Sequence, residues 1–416
     1  MSNPPEGALR ALPPSPSLEH LRSQAKDLLR AGQAPALAAA QFRIAREYGF
    51  ASWPKLKAHV ERFEEAGRLQ ESINRNDLEE VRRQIRRDPS LLHAPIGYSK
   101  GGALTWAAEC RGKATPPSPE RLALARFLIQ AGAAPQEHTN GPLLRAALSD
   151  GRIPMLELLV EKGADVNARW HADYPIVCAP CEALAPLALK WLLDHGANPR
   201  VDGKYGTLPA LLLGTYGRNP KGKNACLEIL VQAGLELPET PALAFHRGRL
   251  DRLEEHLKRE PNLLHRCFTE AEIFPPELGL RPGDGLCATP VAGTTLLHMA
   301  LEYDDLETAR WLIEHGADVN ARAAVDADGF GGHTPLFHAV VSLGKRDDAK
   351  ARLLLDHGAD PRMRATLRKQ LKDMGDPEKE KLREYRDVTP VEYARAFMEP
   401  RWVSAPAVEA LEGAEK

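Results

Sequence analysis

Six segments of this chain end in the same way. ARFLIQAGAAP begins at Ala125, LELLVEKGADVNAR at Leu156, LKWLLDHGANPR at Leu189, LEILVQAGLEL at Leu227, ARWLIEHGADVNAR at Ala309 and ARLLLDHGADPRMR at Ala351. Each returns an apolar residue every three or four positions, the period of a helix that buries one stripe. Each stops at a glycine: Gly132, Gly163, Gly196, Gly234, Gly316 and Gly358. Glycine just past a helix adopts the left-handed conformation that other residues resist. Successive glycines lie 31, 33, 38, 82 and 42 residues apart, so a unit of about 33 residues recurs with insertions. The interval of 82 hides a further unit, ALAFHRGRLDRLEEHLKREPNLLH at 242–265, in which Glu260-Pro261 stands where the glycine would be. The same variant occupies 70–93, and its RRDPSLLH matches KREPNLLH almost letter for letter. A unit this short cannot bury its apolar stripe alone and must stack on its neighbours.

The unit starts also recur. GTTLLHMA begins at Gly293, GHTPLFHA at Gly332 and DVTPVEYA at Asp387, with looser versions in GGALTWAA at Gly101 and GPLLRAA at Gly141. Proline suits the first helical position, and a threonine before it can cap the unpaired amides. Starts, tails and period together resemble ankyrin repeats over roughly 70–412. The resemblance implies an all-α solenoid of about eight or nine helix-turn-helix units, with projecting loops or hairpins between units and helical caps. The expected division is a disordered tail at 1–16, a helical N-terminal cap at 17–67, about six repeats at 68–265, an insertion loop at 266–292, and about two repeats plus a C-terminal capping repeat at 293–412. The 17–67 segment reads as three helices and resembles the leader of some bacterial ankyrin proteins.

Lys plus Arg is 55 and Asp plus Glu is 57, a formal net charge of −2, so no general basic field exists to attract nucleic acid or anionic lipid. RRQIRR, at 82–87, is flanked by acids and makes a weak nucleic-acid patch. No apolar run approaches the length of a membrane span. Six scattered cysteines in a chain of 416 residues suggest a reducing, cytoplasmic setting.

DADGFGGHTPLFHAVV, 326–341, concentrates acids, glycines, histidines and phenylalanines. The ligand offsets of a calcium loop and the Gly-Lys-Ser/Thr of a phosphate loop are both missing. The stretch falls where the ankyrin pattern has its projecting finger, with Thr334-Pro335 opening the next helix. Its extra length places Phe330 at a glycine-flanked tip, expected to be exposed and to make contacts. CAPC, Cys178 to Cys181, has zinc-like spacing with His171 nearby, but no second pair follows. The core reading is preferred, and neither a metal nor a cofactor is expected. His195, His315 and His357 precede a terminal glycine and read as structural, and His298 resembles the ankyrin histidine that struts neighbouring units. The charged run 364–387 reads as a solvated helical insertion. The 266–292 insertion is long but carries Phe268, Ile273, Phe274, Leu278 and Leu280, so it is expected to fold over the array near the 326–333 finger and wall a pocket.

The expected function is binding of a protein or peptide through the concave face and projecting fingers. Candidate contact residues are Trp106, Trp170, His171, Tyr174, Tyr205, Asp326, Asp328, Phe330 and His333. The rival is an enzyme or small-molecule binder with its pocket between the insertion and adjacent fingers, using Asp326, Asp328, His333 and His338. No catalytic motif in usable context supports an enzyme.

Overall fold

In the computed structural model, the described residues are 10–13, 16–97, 100–110, 116–201, 206–281, 283, 285–372, 374–378 and 380–414. The chain forms two compact units: Met1–Ala146 with Pro154–Ala164, and Ala147–Ile153 with Asp165–Lys416.

The first unit opens with helices Leu18–Arg30, Leu37–Glu47 and Trp53–Asn74 around a core of Leu21, Ala25, Ile44, Leu56 and Val60. Much of the expected tail lies outside the described residues, but 10–13 are ordered against this bundle. The Arg10 amide donates to the Glu47 carbonyl, and the Arg10 guanidinium lies 5.2 Å from the Tyr48 ring centroid. Helix Trp53–Asn74 runs unbroken through Gly67, so the cap and the first helix pair share one helix. Pairs follow at Leu78–Arg87, then Ala103–Glu109 with Pro119–Gln130, then Glu137–Ala147, broken at His138–Asn140 by three residues of positive φ, with Ile153–Glu161.

The second unit stacks Cys178–Glu182 with Pro186–Asp194, Leu208–Gly214 with Pro220–Gln232, and Pro241–His246 with Leu250–Arg259. It continues with Leu296–Glu302 and Leu306–Glu314, Leu336–Val340 and Ala349–Leu355, and Pro390–Ala396 and Ala405–Ala414. The core is thin, built of alanine and leucine such as Ala188, Leu192, Leu212, Leu230, Ala300 and Leu312. Thr207, Thr240 and Thr389 each accept an amide three residues on with a proline between, which is why these starts nucleate helices. The degenerate units end in 3-10 turns, Pro89–His93 and Leu263–His265.

All six terminal glycines have positive φ, from 84° at Gly234 to 115° at Gly132. Four of their carbonyls, those of Gly163, Gly196, Gly234 and Gly358, stranded at a helix end, are recovered by the preceding repeat. The residue four places after one glycine reaches the next: Gln136 Nε2 donates to Gly163 O at 2.5 Å, Asn167 Nδ2 to Gly196 O at 2.9 Å, and Asn320 Nδ2 to Gly358 O at 3.0 Å. Arg200 does the same to Gly234 O at 2.7 Å. Asn167 Oδ1 and Asn320 Oδ1 also accept the amides of Asn198 and Asp360, both at 2.8 Å. The asparagine of GADVN is therefore a latch between repeats. His195, His315 and His357 place Nδ1 at 2.7, 2.7 and 2.8 Å from the carbonyl four residues back, and His195 and His315 stack on Trp191 and Trp311.

Among the described residues, two antiparallel hairpins interrupt the helices. β1 (Arg169–Trp170) pairs with β2 (Tyr174–Pro175) across a turn with His171 and Ala172 at positive φ. β3 (Ala365–Lys369) pairs with β4 (Arg383–Val388). The second hairpin corrects the helical reading of 364–387. Its charges alternate with Ala365, Leu367 and Tyr385, which are buried on one face.

Candidate functional site

The 266–292 insertion is folded, and its apolar residues explain why. Phe268, Ile273, Phe274, Leu278 and Leu280 are all buried. Thr269 and Glu272 form a capping box on the short helix Glu270–Ile273. The Phe268 amide donates to the Thr294 carbonyl at 2.8 Å and the Phe268 carbonyl accepts the Gly293 amide at 2.7 Å, which ties the start of the insertion to its end.

A buried ionic centre fixes the returning limb. The side chains of Arg218 and Glu302 are 0% and 1% exposed and meet at 3.0 Å. Arg218 also donates to the carbonyls of Thr215, Leu286 and Glu302. The Glu302 carboxylate accepts the amides of Ala288 at 2.7 Å and Thr289 at 3.2 Å, and His338 Nδ1 lies 3.0 Å away. Burial alone would raise the Glu302 pKa, but the His338 hydrogen bond and the Arg218 charge bring it down to about 2. Around it, His298 Nδ1 meets Thr295 Oγ1 at 2.9 Å and its Nε2 meets the His333 carbonyl at 3.1 Å, the expected strut between units. Burial holds the pKa of His298 well below the ordinary histidine value and takes His333 down to about 3. Burial likewise pulls Lys223, which lies 3.0 Å from His246 Nδ1, down to about 7.

The 326–331 finger docks on the β3–β4 hairpin. Gly331 N donates to Thr366 O at 2.6 Å. Arg368 bridges Asp326 at 2.7 Å and Asp328 at 2.9 Å. Asp326 Oδ1 also accepts the amides of Asp328 and Phe330, an Asx turn. Phe330 is not an exposed tip: it is 7% exposed, with the guanidinium groups of Arg368 and Arg386 at 4.7 and 5.0 Å from its ring centroid. The tip is covered because the following segment is a hairpin long enough to reach it, which a helix over 364–387 would not provide.

Two cavities border the insertion. The larger, about 630 Å³, is lined among the described residues by Tyr174, Glu182, Leu211, Tyr216, Arg281 and Lys372, with Leu280 and Leu286. The smaller, about 210 Å³, is lined by Glu270, Phe274, Cys287, Pro290, Lys369 and Lys372, among others. Tyr216, Gly283, Leu286 and Lys372 line both, so the two adjoin. The Tyr216 hydroxyl donates to the Lys372 carbonyl and accepts its amide, making a bridge between them.

Of the residues expected from sequence, Tyr174 lines the larger hollow, buried, its hydroxyl donating to Glu182 at 2.7 Å. Trp170 stands edge-on to Tyr174 with centroids 6.4 Å apart, half-buried, and His171 beside it is exposed. Trp106 is elsewhere, in the first unit, donating to Asn74 Oδ1 at 2.8 Å and packed so closely on Gly97 that a Cβ there would come within 2.3 Å of its ring. Tyr205 lies outside the described residues. His333 is 2% exposed, its Nε2 at 3.0 Å from the Pro290 carbonyl, so it is not a surface contact residue. Asp326, Asp328, His333 and His338 do not line either hollow, which removes the polar groups of the expected enzymatic pocket. Cys178 and Cys181 are buried, and burial pushes the Cys178 thiol up to about 12. Among the described residues no cluster of His, Cys, Asp or Glu could hold a metal ion, and no helix is long and apolar enough to cross a membrane.

Sequence reasoning missed Tyr216, Lys369, Lys372 and Arg281. Lys369 and Lys372 lie in the charged run that reads as solvated. The alternation of ATLRK was the available signal for a strand.

No curated protein matches the chain. A solved ankyrin repeat domain from Acinetobacter baumannii is 17% identical, covers 60% of this chain and 98% of its own, and superposes with a TM-score of 0.33. The human ASB11 ankyrin repeat domain is also 17% identical, covering 75% of this chain and 97% of its own, with a TM-score of 0.30. Family models match more directly: a three-copy ankyrin-repeat model over 278–365 and a single ankyrin repeat over 138–171. Both matched stretches contain the glycine-capped helices described above, and these stretches are ankyrin repeats.

Proposed function

We propose that this chain is a protein- or peptide-binding module, and that its partner lies in the larger hollow beside the insertion. One observation carries this reading. Tyr174 on the wall of the hollow stands edge-on to half-buried Trp170, which lies outside the lining and meets exposed His171 at the β1–β2 turn with centroids 4.3 Å apart. A hollow flanked by a run of aromatics that reaches the surface suits an extended chain better than a compact metabolite. Aromatic anchors at the edge of a pocket are the usual sources of interface energy. Leu211, Leu280 and Leu286 supply apolar contact, while Glu182 and Arg281 supply polar groups that can set register.

Repeat families use one fold for many partners, so the site has to carry the functional argument. We also propose the division given above, with 10–13 belonging to the cap rather than to a disordered tail and the cap joined to the array through helix Trp53–Asn74, and a reducing compartment such as the cytoplasm. All six cysteines are free, which is in keeping with that setting.

The test is a displayed random-peptide library selected on the whole chain, followed by titration calorimetry of the selected peptides. Leu211→Trp, which fills the hollow from a half-buried position, is expected to abolish binding, and Trp170→Ala to weaken it roughly tenfold or more. Selected peptides that bind both variants as tightly as the parent would refute the placement.

A further inference from the structure

We propose that the 210 Å³ chamber is an anion subsite, in which Lys369 and Lys372 hold a carboxylate or phosphate group carried by the peptide in the adjoining hollow. The inference rests on the peptide-binding reading above.

The argument is one of missing counter-charge. Lys369 lines the chamber half-buried, and its ammonium group makes no hydrogen bond or ion pair among the described residues. Lys372 donates to the Gly283 carbonyl at 2.6 Å, a neutral partner. The acids around them do not cancel both charges. Glu302 is held by Arg218, His338 and two backbone amides. Glu270, on the chamber wall, accepts the Gly283 amide at 2.5 Å and keeps its one negative charge there, against the two ammonium groups. Asp326 and Asp328 are bound to Arg368. Cys287, on the same wall, supplies no negative charge at neutral pH, because burial pushes its thiol up to about 11. An ammonium removed from water without a partner is costly, and burial pulls the Lys369 pKa below that of an ordinary lysine. An incoming anion relieves that cost and makes charge-assisted hydrogen bonds.

The chamber's other walls define what carries the anion. Phe274, Pro290 and Val291 are apolar, so the charged group arrives on a carbon stem. The volume admits one side chain rather than a folded surface. The shared lining at Tyr216, Gly283, Leu286 and Lys372 puts that side chain within reach of a backbone in the larger hollow.

The test uses the full chain with its lysines reductively methylated with carbon-13, the Lys369 and Lys372 resonances being assigned by their loss in Lys369→Gln and Lys372→Gln. The probes are N-acetylglutamate amide, N-acetylphosphoserine amide, N-acetylglutamine amide and inorganic phosphate. The expected result is a saturable shift of both resonances with the first two probes and none with the glutamine analogue. Lys369→Gln should weaken the response of Lys372 roughly tenfold while circular dichroism stays unchanged. No shift with any anion, or an equal shift with the glutamine analogue, would overturn the proposal. A response to inorganic phosphate alone would overturn the peptide-borne assignment in favour of a free-ion site. The small probes do not need the larger hollow, so Leu211→Trp separates the two readings. Selected peptides lost with Leu211→Trp beside a silent chamber would sink the anion subsite and leave the peptide site standing. A responding chamber with no selected peptides would sink the peptide site.

Discussion

Acidification should loosen the second unit near pH 6, well above the range where most carboxylates titrate. His246, His298 and His333 are 0%, 0% and 2% exposed, and burial keeps all three neutral in the folded chain. Their folded pKa values lie below the ordinary 6.5, with His333 at about 3. In the unfolded chain each takes up a proton as the pH falls through 6.5, and in the folded chain it does not. The contribution of these histidines is therefore intact above 6.5 and is lost as the pH falls from there toward the folded value. At pH 5.5 each histidine costs about 1 to 2 kcal/mol relative to pH 8, so the three together cost about 4 kcal/mol. That is a large share of the 5–15 kcal/mol typical of a domain. Glu302 does not offset this loss, because its depressed pKa of about 2 changes stability only below about 4.5. The assay is hydrogen exchange read by mass spectrometry over 296–302 and 333–340 at pH 8 and 5.5, corrected for intrinsic rates. The expected result is a loss of protection in both segments at pH 5.5, with a shallower pH dependence in His298→Asn. Equal protection free energies at the two pH values would refute the claim that these histidines are held neutral by burial.

Glu302→Gln keeps the shape but strands the Arg218 charge, and should cost about 3–5 kcal/mol in a urea titration. It should also expose 286–289 to exchange first, since that limb loses its anchor. Gly331→Ala meets the Ala324 carbonyl at 2.0 Å from a φ of 134°, so it should lift the finger off β3 and cost more than about 2 kcal/mol. A thermal scan that leaves the melting point within a degree of the parent would count against that fit. Asn320→Ala removes one latch to Gly358 and should cost about 1 kcal/mol by urea midpoint, while Asn320→Asp should recover only the bond from the Asp360 amide.

The array itself was legible from the sequence because its determinants are local. A helix period, a proline after a capping threonine and a glycine at the stop act within a few residues of chain, and repetition made each one readable several times over. The strut at His298, the terminal histidines and the buried CAPC could be placed for the same reason. What needed the tertiary structure was every pairing across long separations. Arg218 and Glu302 are 84 residues apart, and nothing local in either shows that together they hold 286–289. Phe330 looked exposed because its cover, Arg368 and Arg386, lies in a segment whose charges suggested a solvated helix. Its two-residue alternation became decisive only once one face was buried. The hollows exist because the insertion folds back between repeats, and their lining comes from stretches around 174, 211, 281 and 370 that no spacing rule connects. Sequence sets the unit because helix signals are short-range. Only the packed chain sets the site, because burial and charge pairing depend on which distant residues arrive together.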